Sequence, residues 1–216
     1  MLSSIQRDLS TLYDLEVEAR VEDFVLGSEA VEEAFGDDSR RGEMLVVMHG
    51  PHDAHVGLYV DPDIVDRARA SGGVPGEHFP AYCTALEGVS HFLYWMFRAE
   101  NHQPLSQLEL EFQAEVDKYA SGLLGSRLPL EGQGAGLMAL RGRSQILRES
   151  LFSEVRFIDQ AGTERGDRYR QAHRLAVRYT QSLEDGYIDT GDLGGLVTEL
   201  RRFYRLGLQE KIRQAG

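Results

Sequence analysis

The order of apolar and polar positions predicts a chain that begins with mixed structure and continues as helices. Residues 15–21 (LEVEARV) alternate apolar and charged side chains, which is typical of a half-buried strand, although a helix with Val17, Val21 and Phe24 on one face fits the same letters. Two apolar runs, EMLVVMH and HVGLYVD, flank the five residues from Gly50 to Ala54. This arrangement predicts a β-hairpin over residues 43–61.

Short amphipathic helices are predicted on both sides of this hairpin. The first residues place Ile5, Leu9, Leu12 and Tyr13 on one helical face, and residues 28–36 form a second short helical pattern that stops at a glycine. After the hairpin, Asp61 stands before a proline, which is the pattern of an N-cap followed by a first helical position.

From residue 79 onward the spacing of apolar residues is helical. A helix at about 80–100 and another at about 105–123 are separated by the link NHQP, and so short a link predicts an antiparallel helical hairpin. A glycine-rich stretch predicts a loop at 125–136. Further helices are predicted at about 143–157, 163–184, 192–206 and 208–214.

These elements predict an α+β fold that is mainly α. Residues 1–78 form a mixed portion with a small antiparallel sheet, and residues 79–216 form a helical bundle on which that sheet packs. Because apolar positions run along the whole length, we expect both portions to share one integrated domain.

Composition and cysteine content narrow the class of protein. With 42% hydrophobic and 27% charged residues, the chain fits a globular protein with its own core. Its single cysteine, Cys83, excludes an internal disulfide and a multi-cysteine zinc site. The first residues lack the basic and apolar regions of a secretion signal, and no apolar run approaches the roughly 20 residues of a membrane span. We therefore predict a cytoplasmic protein, and the excess of 21 arginines over 2 lysines favours a GC-rich bacterial source.

Charge is unevenly distributed along the chain. The net charge is -12, but residues 1–120 carry 23 acidic and 8 basic groups, whereas residues 121–216 carry 12 acidic and 15 basic groups. This complementarity favours packing of the two halves on each other or on a second copy of the chain.

The helix at 80–100 presents two different faces. One is the core stripe of Leu86, Val89, Phe92, Leu93 and Met96. The other, called here the interaction face, consists of Thr84, Glu87, His91, Tyr94, Trp95 and Arg98. Tryptophan, tyrosine and arginine dominate binding hot spots, so something should cover this face. The first functional hypothesis is therefore a non-catalytic accessory subunit that binds a protein partner or a second copy through this face, with Glu115 beside it and without a cofactor.

An acid-base or metal-dependent hydrolase is the alternative function. If the helical hairpin turns near residue 103, His91 lies level with Glu115 and Arg98 lies level with Glu109. Glu87, His91 and Glu115 then converge as titratable groups or as metal ligands. The spacing of Glu87 and His91 is i, i+4, which does not match the Glu-x-x-His pattern of four-helix di-iron proteins. No P-loop, G-x-S-x-G or H-E-x-x-H motif is present.

The tip of the predicted hairpin contains a second set of possible metal ligands. The stretch HGPHDAH holds His49, His52, His55 and Asp53, which would suffice chemically for zinc or nickel if the first and last histidines face each other. Loop tips also collect polar residues for backbone reasons alone. A solvated turn without metal is therefore the prediction here.

Basic residues follow one face of the helix at 163–184. Arg170, Arg174 and Arg178 stand at i, i+4 and i+8, and nucleic-acid binding through this stripe is a third function. It is disfavoured because that face carries no aromatic side chains to stack on bases. A second basic run, which includes Lys211, lies in the amphipathic tail, which can dock on the body of the protein or on another protein.

Overall fold

The computed structural model of the chain describes residues 1–36, 42–50, 54–125, 135–153, 155 and 157–216. This part of the chain is mainly helical and contains one two-stranded antiparallel sheet, so the predicted α+β, mainly α, class is confirmed. The helices are α1 (Leu2–Tyr13), α2 (Ser28–Phe35), α3 (Pro62–Ser71), α4 (Phe79–Glu100), α5 (Gln107–Leu124), α6 (Ala135–Arg148), α7 (Glu164–Leu183), α8 (Leu193–Arg205) and α9 (Leu208–Gln214). The strands are β1 (Glu43–His49) and β2 (Ala54–Val60), and shorter turns are a 3-10 turn at Val21–Phe24 and π-helical turns at Glu149–Ser153 and Glu184–Ile188.

The strand predicted at residues 15–21 is wrong. Residues 15–20 have no regular structure and lead into the 3-10 turn. Their backbone groups find a side chain instead of a neighbouring strand, because the Gln6 amide donates to the carbonyl of Ala19 (2.7 Å) and its oxygen accepts from the N–H of Val21 (2.8 Å). Val21 is fully buried, so the alternating apolar residues still anchor this segment to the core.

The hairpin is confirmed and lies against the middle of α4. Its strands pair in antiparallel register with Glu43 opposite Val60 and His49 opposite Ala54, so the link is one residue shorter than predicted. On α4, Gly88 leaves room for this contact, because a Cβ there would lie 3.2 Å from the side chains of both Leu58 and Val60. The close approach brings the first residue of β1 onto the surface of α4.

The predicted helical hairpin is formed by α4 and α5. Ser106 begins α5 as its N-cap, accepting a hydrogen bond from the N–H of Glu109 at 3.2 Å. The predicted core stripe of α4 is buried, and α5 is buried on nearly all sides because it packs between α4 and α7. Polar residues of α5 therefore lie inside the protein.

Helix α6 begins earlier than predicted. Its first residue is Ala135, within the stretch interpreted as a glycine-rich loop; residues 126–134 of that loop lie outside the described part of the chain. A glycine in a helix costs only about 1 kcal/mol relative to alanine. Burial of Leu140 and Leu147 against the core outweighs that cost.

Hydrogen bonds between buried side chains connect four helices in a group called here the central polar network. Asp117 accepts hydrogen bonds from Tyr13 (2.5 Å), Ser90 (2.6 Å) and Gln113 (2.7 Å). The amine of Lys211 in α9 donates to the oxygen of Gln113 (2.6 Å) and to the hydroxyl of Tyr94 (2.7 Å). The network thus fixes α1, α4, α5 and α9 around one point in the core.

Helix α8 supplies the cap of helix α1. Arg201 donates to the carbonyl of Leu12 (2.9 Å), and Arg205 donates to the carbonyls of Tyr13 and Asp14 (3.0 Å each). These are carbonyls that the end of a helix leaves without an internal partner. One hydrophobic cluster continues from α1 through the hairpin and α4 to α8. Within the described ranges, every helix is too short or too polar to cross a membrane.

Replacing Asp61 by alanine is expected to lower the free energy of unfolding by about 1 kcal/mol, because the N-cap of α3 is lost. Its carboxylate accepts a hydrogen bond from the N–H of Asp63 at 2.8 Å. Urea denaturation of the wild type and the variant measures the effect. The control is Asp66→Ala on the same helix, where the side chain is exposed and, among the described residues, forms an ion pair with Arg69 alone; it should change stability by less than about 0.5 kcal/mol. Equal losses in the two variants would contradict the assigned cap.

Candidate metal centre

Three side chains from α4 and α5 converge where the hairpin meets the helices. Glu87, His91 and Glu111 place one ligand atom each within 4.8 Å of one another. Nε2 of His91 lies 3.4 Å from a carboxylate oxygen of Glu111, and its Nδ1 lies 3.7 Å from a carboxylate oxygen of Glu43 at the start of β1. We call Glu43, Glu87, His91 and Glu111 the Glu-His cluster.

The cluster differs by one helical turn from the predicted set. His91 meets Glu111 rather than Glu115. Glu115 is close by but contacts Lys118 at 2.6 Å. Farther along the hairpin, Arg98 lies 3.4 Å from Glu109, as the predicted pairing of the helices requires.

Two permanent cations contact the carboxylates of this region. Lys118 bridges Glu87 (2.8 Å) and Glu115 (2.6 Å), and Arg168 of α7 lies 3.7 Å from Glu111. The Glu-His cluster and Glu115 together provide four carboxylates. With a neutral imidazole these groups carry a formal charge of two negative units, and this excess is what a bound cation would neutralise.

Protons provide part of that neutralisation in the metal-free protein. Burial by itself lowers the pKa of His91, but hydrogen bonding and attraction from Glu111 and Glu43 outweigh burial and hold the pKa well above its usual value. Burial raises the pKa of Glu43. The carboxylates of the cluster therefore favour a positive charge at the imidazole of His91, and a proton supplies that charge.

Two buried atoms of the cluster make no hydrogen bond of good geometry among the described residues. They are Nε2 of His91, which lies 3.4 Å from Glu111, and the carboxylate oxygen of Glu43 that lies 3.7 Å from Nδ1 of His91. Both atoms are therefore in ionic contact but poorly hydrogen-bonded, which is unusual for buried polar atoms.

The cluster lies on the floor of an open cleft between β1, α4, α5 and α7. The cleft has a volume of about 490 Å³ and is lined by the cluster members Glu43, His91 and Glu111 together with Trp95, Arg168 and Tyr169, among others. A smaller hollow of about 210 Å³ lies beside Glu87 and Glu115 and also contacts His173. Small molecules can therefore reach the cluster from two sides.

The interaction face predicted on α4 is covered largely by the chain itself. Tyr94 is fully buried, where its hydroxyl donates to Glu109 and accepts from Lys211. Arg98 is 4% exposed and donates to the carbonyl of Pro104 at 2.8 Å. Thr84, Glu87 and Trp95 are partly exposed and line the cleft or the hollow. Helices α5 and α9 and the hairpin cover this face, and its binding of a partner stays a prediction.

The histidines of the hairpin do not face each other, so the condition for the alternative metal site at this turn is not met. His49 pairs with Ala54 and His55 pairs with Met48, and neighbouring pairs along a strand point to opposite faces. One ion therefore cannot contact both imidazoles. His52 and Asp53 lie outside the described residues.

The arginine stripe of α7 is only partly available. Arg170 donates to the carbonyls of Asp159 (2.9 Å) and Gly166 (2.8 Å), and its guanidinium lies over the ring of Phe157. Arg174 and Arg178 are exposed. Nucleic-acid binding by the three arginines stays a prediction.

Sequence reasoning missed Glu43, Glu111 and Arg168. For Glu111 a signal was present, because Glu111 and Glu115 repeat on α5 the i, i+4 spacing of Glu87 and His91 on α4. Two such pairs on neighbouring antiparallel helices form two facing rows of side chains. This holds whether His91 lies opposite Glu111 or opposite Glu115. For Glu43 and Arg168 no local signal exists, since both reach the cluster from other elements.

Comparison with known proteins does not extend this geometry. No protein-family model, no curated protein and no solved structure matches the chain. The function of the Glu-His cluster therefore has to be inferred from its own chemistry.

Proposed function

We propose that the protein is a metal-dependent hydrolase whose divalent ion is bound by Glu87, His91 and Glu111. The observation that carries this proposal is the convergence of these ligand atoms within 4.8 Å on the floor of a cleft, where Nε2 of His91 is buried and in ionic contact with Glu111 without a well-formed hydrogen bond. One imidazole nitrogen and two carboxylate oxygens are a donor set that suits Zn²⁺, Fe²⁺ or Mn²⁺.

Both poorly hydrogen-bonded atoms would acquire a role with an ion bound. Nε2 of His91 would be a ligand, and the opposite ring nitrogen would face the carboxylate of Glu43, which lies 3.7 Å away in ionic contact. This is the carboxylate–histidine–metal arrangement, in which the carboxylate fixes the tautomer and orientation of the imidazole. Glu43 would therefore position His91 without contacting the ion.

The charge of the region supports a divalent ion. Among the side chains that the structure describes, four carboxylates of the region contact Lys118 and Arg168, which leaves two negative units when His91 is neutral. A divalent ion balances this excess completely, whereas a proton on His91 balances half of it. Arg165, the preceding arginine on α7, lies 3.7 Å from Asp159 and also attracts Glu87, so this arginine and Asp159 together add no net charge to the balance.

Hydrolysis is the reaction class that such a site supports. Three protein ligands leave coordination positions for water on the side of the cleft, and a metal ion can lower the pKa of bound water to about 7. The water oxygen attacks the electrophilic atom of the substrate, and the bond from that atom to the leaving group breaks. The proton that the water loses would pass to the leaving group.

Metal binding to chelator-treated protein tests the proposal. Calorimetric titration with Zn²⁺, together with elemental analysis, should show one ion per chain, and Co²⁺ should give visible absorption bands of a nitrogen and oxygen site. We expect His91→Ala and Glu111→Gln to weaken the affinity by more than about 100-fold, and Glu43→Gln to weaken it by about 10–100-fold.

The matched control is His49→Ala, because this histidine lines the same cleft but does not belong to the cluster. Its metal affinity should equal that of the wild type. Absence of stoichiometric binding, or binding that survives His91→Ala, would overturn the proposal. Hydrolysis of ester, amide and phosphate substrates by the loaded protein, lost in Glu111→Gln, would then establish the activity.

A further inference from the structure

We infer that the cleft takes an uncharged acyl compound, an amide or an ester, that carries an apolar or aromatic group. This inference rests on the metal site proposed above and names the substrate class for it. Water attacks the acyl carbon, the bond from that carbon to nitrogen or oxygen breaks, and the released amine or alcohol takes the proton.

The charge of the loaded cluster argues for an uncharged substrate. With a divalent ion bound, the four carboxylates are balanced by that ion, Lys118 and Arg168. A phosphate or carboxylate group would add negative charge next to carboxylates that are nearly buried, where charge is costly unless it is paired. An amide or ester adds none.

One side of the cleft is apolar although it is open. Leu45 and Val47 of β1, Trp95 of α4, and Leu105 and Leu110 at the start of α5 line it, and all five are only partly buried. Apolar side chains that stay half-exposed in a concave surface are typical of ligand sites. These side chains can contact an apolar substituent of the substrate while its acyl group lies over the Glu-His cluster.

The opposite side of the cleft supplies hydrogen-bond donors. Arg168 and Arg165 both line it, and Nε of each is buried without a hydrogen-bond partner. The distance of 3.7 Å from Arg168 to Glu111 is an ionic contact that leaves the N–H groups of the guanidinium available. Such donors would stabilise the negative charge that develops on the acyl oxygen of a substrate bound in the cleft.

Three hydroxamates that share one metal-binding head group test this inference. Benzohydroxamate has an uncharged ring, acetohydroxamate lacks the ring, and 4-carboxybenzohydroxamate adds a negative charge. Fluorescence of Trp95, the only tryptophan of the chain, reports binding inside the cleft. On the Zn²⁺-loaded protein, benzohydroxamate should bind about tenfold or more tightly than either of the others.

Variants on one helix locate the apolar contact. Leu110→Ser should reduce the preference for benzohydroxamate over acetohydroxamate to less than about threefold. Leu108→Ser is the matched control, since this leucine is equally partly buried on α5 but lies outside the cleft, and it should keep the preference. Inorganic phosphate should not compete with benzohydroxamate.

The possible failures are distinguishable. Zn²⁺ stoichiometry is measured first, and absence of bound zinc overturns the proposed function together with this inference. If zinc binds, then equal affinity for the three hydroxamates, a preference for the carboxylated one, or competition by phosphate overturns the substrate class alone. A preference that is unchanged in Leu110→Ser also overturns it.

Discussion

Replacing Asp117 by alanine is expected to lower the free energy of unfolding by about 3–5 kcal/mol. The carboxylate is 1% exposed and accepts hydrogen bonds from Tyr13, Ser90 and Gln113. Alanine leaves these three donors buried without an acceptor. Each unsatisfied donor costs about 1–3 kcal/mol, and relaxation of the surrounding structure recovers part of this loss. Burial raises the pKa of Asp117 more than the three hydrogen bonds lower it, so this acceptor is costly to bury and more costly to lose.

Urea denaturation at neutral pH measures this loss. Ser90→Ala removes a single donor of the same network and should cost only about 1 kcal/mol. Asp66→Ala, on the exposed face of α3, controls for the removal of a carboxylate in general. A loss below about 1 kcal/mol for Asp117→Ala would show that the central polar network does not stabilise the fold.

The second large effect is a dependence of stability on pH that arises from Lys211. This side chain is fully buried, and burial is the main reason why its pKa falls from 10.5 to about 7. Glu109 and Asp117 of α5 partly oppose the decrease, and Arg98 of α4 adds to it. The rings of Tyr94 and Phe203 lie 4.2 and 5.0 Å from the amine.

The sign follows from the proton count. Between pH 7 and about 10.5 the unfolded chain keeps a proton on Lys211 that the folded chain has released, so the free energy of unfolding rises with pH by up to about 1.4 kcal/mol per unit. Below pH 7 Lys211 is protonated in both the folded and the unfolded chain. Burial of its charge then lowers the free energy of unfolding by the full amount. From pH 7 to about 9.5 the wild type should therefore gain about 3 kcal/mol relative to Lys211→Met.

The only other lysine provides the control. Burial lowers the pKa of Lys118, but Glu115 and Glu87 outweigh burial and hold this pKa well above 10.5. Lys118 therefore stays charged throughout the window, and the difference between the wild type and Lys118→Met should not change with pH. Denaturant titrations at several pH values measure both differences. Equal slopes for the two variants would contradict a neutral Lys211.

These two predictions concern residues whose burial the sequence did not indicate. Lys211 belongs to a basic run in the tail, and Asp117 lies two residues beyond Glu115 on a helix with a clear apolar stripe. Local periodicity predicted both helices but treated polar positions as exposed. Helix α5 is buried on nearly all sides because α4 and α7 cover it, and that depends on long-range packing.

The elements with a strong periodicity of apolar residues could be predicted from the sequence. The elements whose structure depends on a neighbouring segment of the same chain could not. Helices α4, α5, α7 and α8 and the hairpin follow from spacing, caps and glycine positions. Residues 15–21 alternate like a strand, but Gln6 satisfies their backbone where a strand would need a neighbour. The sequence pattern of residues 15–21 shows which side chains are apolar, but it does not show which other segment of the chain packs against them.

The candidate site was predicted to within one helical turn. His91 and Glu87 follow from the polar face of α4, whereas the choice of Glu111 over Glu115 depends on how the side chains of α4 and α5 pack against each other. The fourth carboxylate, Glu43, arrives through the docking of the hairpin on Gly88, which is a tertiary contact.

The arginine caps on α1 have a consequence for synthesis of the chain. Arg205 is 191 residues from the carbonyl of Asp14 that it contacts. At about 5–20 residues per second, a ribosome needs roughly 10–40 s to add the residues that separate them. During translation the end of α1 therefore lacks these hydrogen bonds until α8 has been made.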